Sequence, residues 1–265
     1  MNVVVCLKQV PDPDAINTYA LWGRLELDES RRSFRSDVTR IMNAYDEQAI
    51  EAALRLRDQG LECAIIALTV GGEDATPLLR HALAMGCDDA AQVVEPEPGV
   101  DALRTAGLLA AAIGHLGGAD VVLCGRQGSD YDQGGVPGVL AELLDTSLVT
   151  TAATVAMDRE RLRVRRVTPD GEQVLLADLP CTVSVSNELG TPRYPTAQGR
   201  MRARRYGVRT FDAAELIAES AVGVELVELA IPKLPGQCVF IEGTTPAAQA
   251  AALVARLREG GVLSA

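Results

Sequence analysis

The sequence predicts an α/β protein: a doubly wound, mostly parallel sheet followed by a C-terminal arm. Short, continuous apolar runs at residues 3–7, 64–70, 91–94 and 120–124 have the length of strands. Segments with apolar residues at helical spacing, 46–57, 75–85 and 101–116, alternate with them. Runs that are apolar throughout, instead of at every second residue, belong to strands covered on both faces, which is the pattern of parallel sheets flanked by helices. Such sheets bind ligands in the crevice beyond the carboxyl ends of their strands.

The elements follow in order. After the first strand, an insertion over residues 19–39 carries LWGRLELDESRRSF, whose alternation predicts a small hairpin turning at the polar DES. A helix over 135–144 follows a glycine-rich loop. Residues 148–157, 162–166 and 173–176 then read as strands, with a PDGE turn between the last two, so antiparallel strands succeed the parallel ones. CTVSVS, 181–186, is a further strand. Beyond it lie the polar NELGTPRYPTAQG and the basic MRARRYGVR. Past Phe211 only short elements separated by prolines are expected, until a helix over 246–259 stopped by Gly260 and Gly261. An arm of this composition orders on a partner's surface.

Composition narrows the function. With 48% apolar and 23% charged residues, the 265-residue chain is an ordinary globular protein able to bury a sizeable core. Its formal charge of −11, from 36 acidic and 25 basic side chains, repels phosphate backbones and anionic lipid. Nucleic acid and membrane are therefore not expected as partners. Six scattered cysteines without a CxxC pair suit reduced, buried thiols. MNVVVCLKQVPDPD enters a strand at once, and no run approaches the roughly 18 apolar residues of a membrane span, so a cytoplasmic location is expected.

The strongest local feature is CGRQGSDYDQGGVPG, residues 124–138, placed after a strand and before a helix. Its glycines let backbone amides approach an anion, and the helix offers a positive N-terminal end. It is neither a P-loop nor a GxGxxG fingerprint. Pattern alone leaves open a phosphate cradle and an ordinary βα turn, with Asp130 and Asp132 as ribose or cation ligands or as caps. Asn43-Ala44-Tyr45-Asp46 opens the helix DEQAIEAALRLR at the same end of the sheet; a helix cap is one reading, and an aromatic stacking position at Tyr45 another. Lys8, in KQVPD, lies at the end of the first strand. The run Arg193, Arg200, Arg202, Arg204, Arg205 and Arg209 suits a docking surface for an acidic protein better than nucleic acid. His81 and His115 lack matching carboxylate or cysteine motifs, and no nucleophile signature is present, so no catalytic residue and no metal ligand is assigned. A nucleotide binder without a reactive group is a carrier or a scaffold.

Taken together, KQVPD, NAYDEQAIEAALRLRD, RHALAMGCDDA, VVLCGRQGSDYD with its following LAELL, and SNELGTPRYPTAQGRMRARR resemble the β subunits of electron transfer flavoproteins, including the FixA-type branch. The motifs occur in that family's order from residue 2 to about 206. The resemblance implies an adenine-nucleotide-hydrolase-like fold that pairs with a larger α subunit holding FAD. It also implies AMP, or a second FAD, in this subunit. Electrons would come from flavin-dependent dehydrogenases and pass to a quinone oxidoreductase or a similar acceptor.

Residue by residue, the family's nucleotide contacts fall on Cys6, on Asn43, Ala44, Tyr45 and Asp46, and on Val70. They continue over Gly125, Arg126, Gln127, Gly128, Ser129, Asp130, Asp132, Gln133, Gly134, Gly135 and Val136. Tyr45 matches an aromatic position near the α subunit's flavin. The stretch 194–201, from Tyr194 to Met201, matches a loop that grips dehydrogenases; Ala197 stands where mitochondrial-type proteins carry leucine. Gly134, Gly135 and Val136 replace an Asn-Gln-Thr trio that holds the AMP phosphate, so backbone amides carry more of the anion binding here. The implied division is a nucleotide-binding domain over 1–185 and a partner-recognition loop with a wrapping arm over 186–265. A stand-alone regulator of the universal-stress type is the alternative, and it has no use for such an arm.

Overall fold

The computed structural model describes residues 1–12, 27–32, 39–95, 101–216, 224, 226–230 and 238–263. Its strands are β1 (Asn2–Leu7), β2 (Gln9–Pro11), β3 (Arg40–Met42), β4 (Ala64–Gly71), β5 (Asp89–Val94), β6 (Val121–Gly125), β7 (Ser147–Asp158), β8 (Arg161–Thr168), β9 (Gly171–Asp178), β10 (Cys181–Val185) and β11 (Arg209–Asp212). The helices are α1 (Ala44–Asp58), α2 (Thr76–Met85), α3 (Ala102–His115), α4 (Val136–Leu143), α5 (Ala197–Arg205), α6 (Ala213–Leu216) and α7 (Pro246–Glu259).

Nine strands form one sheet in the order β11-β5-β4-β1-β6-β10-β7-β8-β9. From β11 to β7 every pairing is parallel, while β7, β8 and β9 run antiparallel. The doubly wound, mostly parallel sheet expected from the sequence is therefore present. The expected hairpin over 19–39 falls largely outside the described residues.

β1 shows why its apolar residues are continuous. Val3, Val5 and Leu7 enter one core with Ile50 and Leu54 of α1 and Leu79 and Leu83 of α2. Val4 and Cys6 enter a second core with Leu108, Leu109 and Ile113 of α3 and Leu140 of α4. Successive side chains leave opposite faces of a strand, so a strand between two helical layers must be apolar at every position. Each fully buried Leu or Ile contributes about 1.5–3 kcal/mol of transfer free energy.

Two elements depart from the expected extended stretch after residue 186. α5 forms over AQGRMRARR, capped by the Thr196 hydroxyl, which accepts from the Gly199 amide at 2.9 Å. β11 adds to the sheet edge beside β5. Only Ala203 of α5 is buried, so the helix carries no apolar stripe from which to read its period. It is held instead by close packing and polar contacts. Arg202 donates to the carbonyls of Leu83 and Cys87, 3.0 Å each, at the end of α2, and the Tyr206 hydroxyl donates to Asp89 at 2.7 Å.

The chain divides into two compact units, Met1–Leu229 and Ala230–Ala265. The second contains α7, which starts where the Thr245 hydroxyl accepts from the Ala248 amide at 3.2 Å and Pro246 occupies the first turn.

The α2–α5 contact is tight enough to test. A Cβ added to Gly199 would lie 2.3 Å from the Ala84 carbonyl oxygen, whereas one at Gly207 meets nothing within 4 Å. Gly199→Ala should cost about 1–3 kcal/mol by overpacking, read by urea unfolding, while Gly207→Ala should leave stability nearly unchanged.

Candidate functional site

β1 has β4 on one side and β6 on the other, so the winding of the sheet reverses at β1. The crevice beyond the carboxyl ends of β1 and β6 is the place where open α/β sheets hold ligands. Chain geometry brings the second motif there. β2 and β3 pair antiparallel, and the Asn43 amide donates to the Lys8 carbonyl at 3.0 Å, so α1 begins beside the end of β1.

The Asp46 carboxylate sits at the centre of this junction, 4% exposed. One oxygen accepts from the Lys8 amide at 2.6 Å; the other accepts from the Gly125 amide at 3.1 Å and the Asn43 side-chain amide at 3.0 Å. Asn43 carries the connection into the glycine loop. Its side-chain nitrogen donates to the Gln127 carbonyl at 2.8 Å, and its oxygen accepts from the Ser129 amide at 3.2 Å. Asn43 and Asp46 are thus bridges between elements. Asn43 occupies the N-cap position without a capping bond from its side chain. Gly125 is required here, because a Cβ would stand 2.2 Å from the Asp46 oxygen and 2.8 Å from the Tyr45 Cβ.

Charges around the loop are largely matched. Lys8 Nζ lies 2.7 Å from Asp130 and 5.2 Å from the centre of the Tyr131 ring. Asp132, in a left-handed conformation at φ 53°, accepts from Gln127 at 2.8 Å. The Arg126 guanidinium stands 5.2 Å over Tyr45. Gly134, at φ 62°, would bring a Cβ to 3.0 Å from the Arg126 carbonyl. The amides of Gly134 and Gly135, just before α4, donate to no acceptor among the described residues. A cleft of about 510 Å³ beside them is lined by Arg126, Gln127, Gly134, Gly135, Leu148, Thr150, Thr151 and Ser184. That volume suits a small-molecule ligand.

Of the residues expected from the sequence, Asn43, Asp46, Gly125, Gln127 and Ser129 are joined directly, and Arg126 with Tyr45, Lys8 with Asp130, and Gln127 with Asp132 complete the cluster. Cys6 lies in register with Cys124 on the adjacent strand, and Val70 stands at the end of β4, beyond the direct contacts of the loop. No hydrogen bond ties the side chain of Gln133 to the cluster among the described residues. Thr150, Thr151 and Ser184 come from β7 and β10 and went unrecognised in the sequence. The hydroxyl of Ser184 accepts from the Thr151 amide at 3.1 Å.

The cluster can hold an anion on backbone amides, and it offers no activated nucleophile. Hydrogen bonding with Cys6, burial and the charge of Asp46 push the Cys124 thiol well above its ordinary value, so it stays protonated. Among the described residues, no group of three or more His, Cys, Asp or Glu residues is placed to hold a metal. No helix of the described residues is long and apolar enough to cross a membrane.

The fold and the cluster define a doubly wound α/β protein with a glycine loop pinned at its switch point. Comparison with known proteins makes the class more particular. The model of the family described as "Electron transfer flavoprotein domain" matches residues 34–216. The electron transfer flavoprotein subunit beta of Mycobacterium tuberculosis is 31% identical over 98% of this chain and 94% of its own. The caffeyl-CoA reductase-Etf complex subunit CarD of Acetobacterium woodii is 30% identical over 99% of this chain and 100% of its own. The acryloyl-CoA reductase electron transfer subunit gamma of Anaerotignum propionicum is 31% identical over 86% of this chain and 84% of its own. The chain belongs to the electron transfer flavoprotein family, in its β-subunit branch.

Burial pushes the Asp46 carboxyl up from 3.8 to about 7, against the pull of the Lys8 amide, the Asn43 side chain, the Gly125 amide and the Lys8 charge. The folded state then binds the extra proton between about pH 4 and 7, and stability from this group falls as pH rises through that window. Asp46→Asn removes the titration. The stability of the wild type relative to Asp46→Asn, from urea unfolding at about pH 4.5 and about pH 7.5, should shrink as pH rises; a difference that grows instead would mean that the donors hold the carboxylate ionised at low pH.

Proposed function

We propose that this chain is the adenylate-holding subunit of a two-subunit electron carrier. It pairs with a larger α-type subunit bearing FAD, takes electrons from a flavin-dependent dehydrogenase, and passes them to a quinone oxidoreductase or a similar acceptor. The glycine loop with Asn43 and Asp46 holds AMP or the adenylate half of a second FAD. Residues 186–265 contribute the surface for partners, and the assembly works in the cytoplasm.

The observation that carries this reading is the pair of amides at Gly134 and Gly135, which have no acceptor among the described residues and stand at the start of α4 beside a cleft of nucleotide size. The residues present fit a phosphate. Glycine at 134 keeps the backbone approachable, Asp130 is neutralised by Lys8, and Asp132 is engaged by Gln127. Bound flavin supplies the redox chemistry itself. The chain's own part is to bind and orient. Asn43 and Asp46 fix the loop, Arg126 brings positive charge to the cleft, and Thr150 and Ser184 bring hydroxyls to its other wall, while the Thr151 hydroxyl donates to the Val167 carbonyl at 3.1 Å. The caffeyl-CoA and acryloyl-CoA reductase relatives support a role in which the chain serves a dehydrogenase-type enzyme instead of performing the reaction.

The experiment is to co-express the chain with its α-type partner, denature the purified complex and count the nucleotides released. One FAD with one AMP per heterodimer identifies a carrier with a single flavin. Two FAD and no AMP identify a subunit with its own flavin. Absence of both nucleotides defeats the proposal. In the same assay Gly134→Val, which places a β-branched residue at φ 62°, should lower the nucleotide content assigned to this subunit about tenfold, with the far-ultraviolet circular dichroism unchanged.

A further inference from the structure

The binding role proposed above uses the sulfurs of neither Cys6 nor Cys124. The two residues are Cα partners on the adjacent parallel strands β1 and β6. Both side chains leave the sheet toward α3 and α4, where they are the two cysteines of the second core. Cys6 hydrogen-bonds with Cys124. The other buried cysteines are placed differently. Cys87 and Cys181 lie in the first core, and Cys181 stands opposite Val121, the first residue of β6. The pair is also within reach of the crevice: Cys6 and Cys124 retain 6% and 4% exposure, whereas Val4, on the same face of β1, retains none.

Directly opposed residues of neighbouring strands stand about 4.8 Å apart. That lies within the roughly 4.4–6.8 Å between the Cα atoms of a disulfide, but below its usual spacing of about 5.5–6 Å. Joining the two sulfurs therefore spreads β1 from β6 at this level. The spreading falls on the Asp46 fastening. Lys8, two residues after Cys6, and Gly125, next to Cys124, supply the two backbone amides that Asp46 accepts from at 2.6 and 3.1 Å. A soft metal ion would need both sulfurs as thiolates, and burial together with the Asp46 charge opposes that charge on Cys124. A disulfide carries no charge and suits the same apolar core.

We propose that Cys6 and Cys124 are a redox site that closes to a disulfide on oxidation by hydrogen peroxide and thereby loosens the glycine loop. This goes beyond the carrier reading and does not rest on it. The sulfur of Cys6, the more exposed of the two, attacks one peroxide oxygen. The O–O bond breaks, and the departing hydroxide takes the Cys6 proton and leaves as water, so that Cys6 becomes a sulfenic acid. The Cys124 sulfur then attacks the Cys6 sulfur. The S–O bond breaks, and the hydroxyl leaves with the Cys124 proton as a second water. The sulfurs have together lost two electrons, and the peroxide has gained them. Because Cys124 is held protonated, closure is slow, and a thiol reductant reverses it.

For the test, the full-length chain is treated with excess hydrogen peroxide, free thiols are blocked, and peptides are mapped by mass spectrometry without reduction. A linked pair of the Cys6 and Cys124 peptides, lighter by two hydrogens, is expected. The loop is read by hydrogen–deuterium exchange. The amides of Gly125 and Ser129, held by Asp46 and Asn43 in the reduced protein, should exchange about threefold faster or more after oxidation. A thiol reductant should restore the slow rate. In Cys124→Ala, and equally in Cys6→Ala should either variant fail to fold, peroxide should leave the exchange unchanged. Recovery of Cys6 and Cys124 as free thiols or as separate sulfinic acids overturns the proposal. So does a linked pair that leaves exchange over 125–129 as it was. Neither measurement needs a bound nucleotide, so the nucleotide count on reduced protein tests the carrier reading separately.

Discussion

The Asp46 carboxylate receives the amide at the end of β1, the amide at the end of β6 and the side chain of Asn43, and everything at the switch point depends on those bonds. Burying a carboxylate costs several kcal/mol unless donors surround it. Here two of the donors are backbone amides at strand ends, Lys8 and Gly125, and the third is the Asn43 side chain. The same oxygen excludes any side chain at position 125, so the glycine of β6 and the aspartate of α1 require one another. Asn43 then carries the fastening two and four residues further into the loop, through Gln127 and Ser129. A loop held from beneath in this way leaves its later amides, at Gly134 and Gly135, without an acceptor among the described residues.

The glycine loop and the stretch after residue 186 share a framework. Glu47 of α1 meets His81 of α2, so the helix that carries the Asp46 fastening touches the helix against which α5 packs. Glu51 of the same α1 is held by Arg193, just ahead of Tyr194. The structure thus separates charges with work inside the fold from charges without it. Lys8, Arg104, Arg193 and Arg202 are each satisfied by a carboxylate or by carbonyls. Arg80, Arg200, Arg204 and Arg205 make no ion pair among the described residues.

Much of this was legible beforehand, for a local reason. The strands that became β1, β4, β5 and β6 announced themselves by unbroken apolar runs, and α1, α2, α3 and α7 by helical spacing or by caps and glycine stops. The glycine loop was legible because its residue types suit only a few backbone paths. α5 was hidden because nearly all its side chains are polar and its stability comes from Gly199 against Ala84 and Arg202 against the end of α2. Thr150, Thr151 and Ser184 were hidden because they reach the cleft only when β10, last of its group in the chain, inserts between β6 and β7.

The sequence by itself determined the element types, the parallel class of the sheet, the glycine loop and, through its five motifs in order, the family. Tertiary structure alone decided that Asn43 and Asp46 would bridge elements instead of capping a helix, that β10 would complete the cleft wall, and that Cys6 would face Cys124 across two strands. The reason is physical. Periodicity and turn chemistry act between residues a few positions apart, whereas backbone hydrogen bonds and ion pairs carry no label for their distant partner. Which strand lies beside which, and which charges go unmatched, is settled only when the whole chain packs.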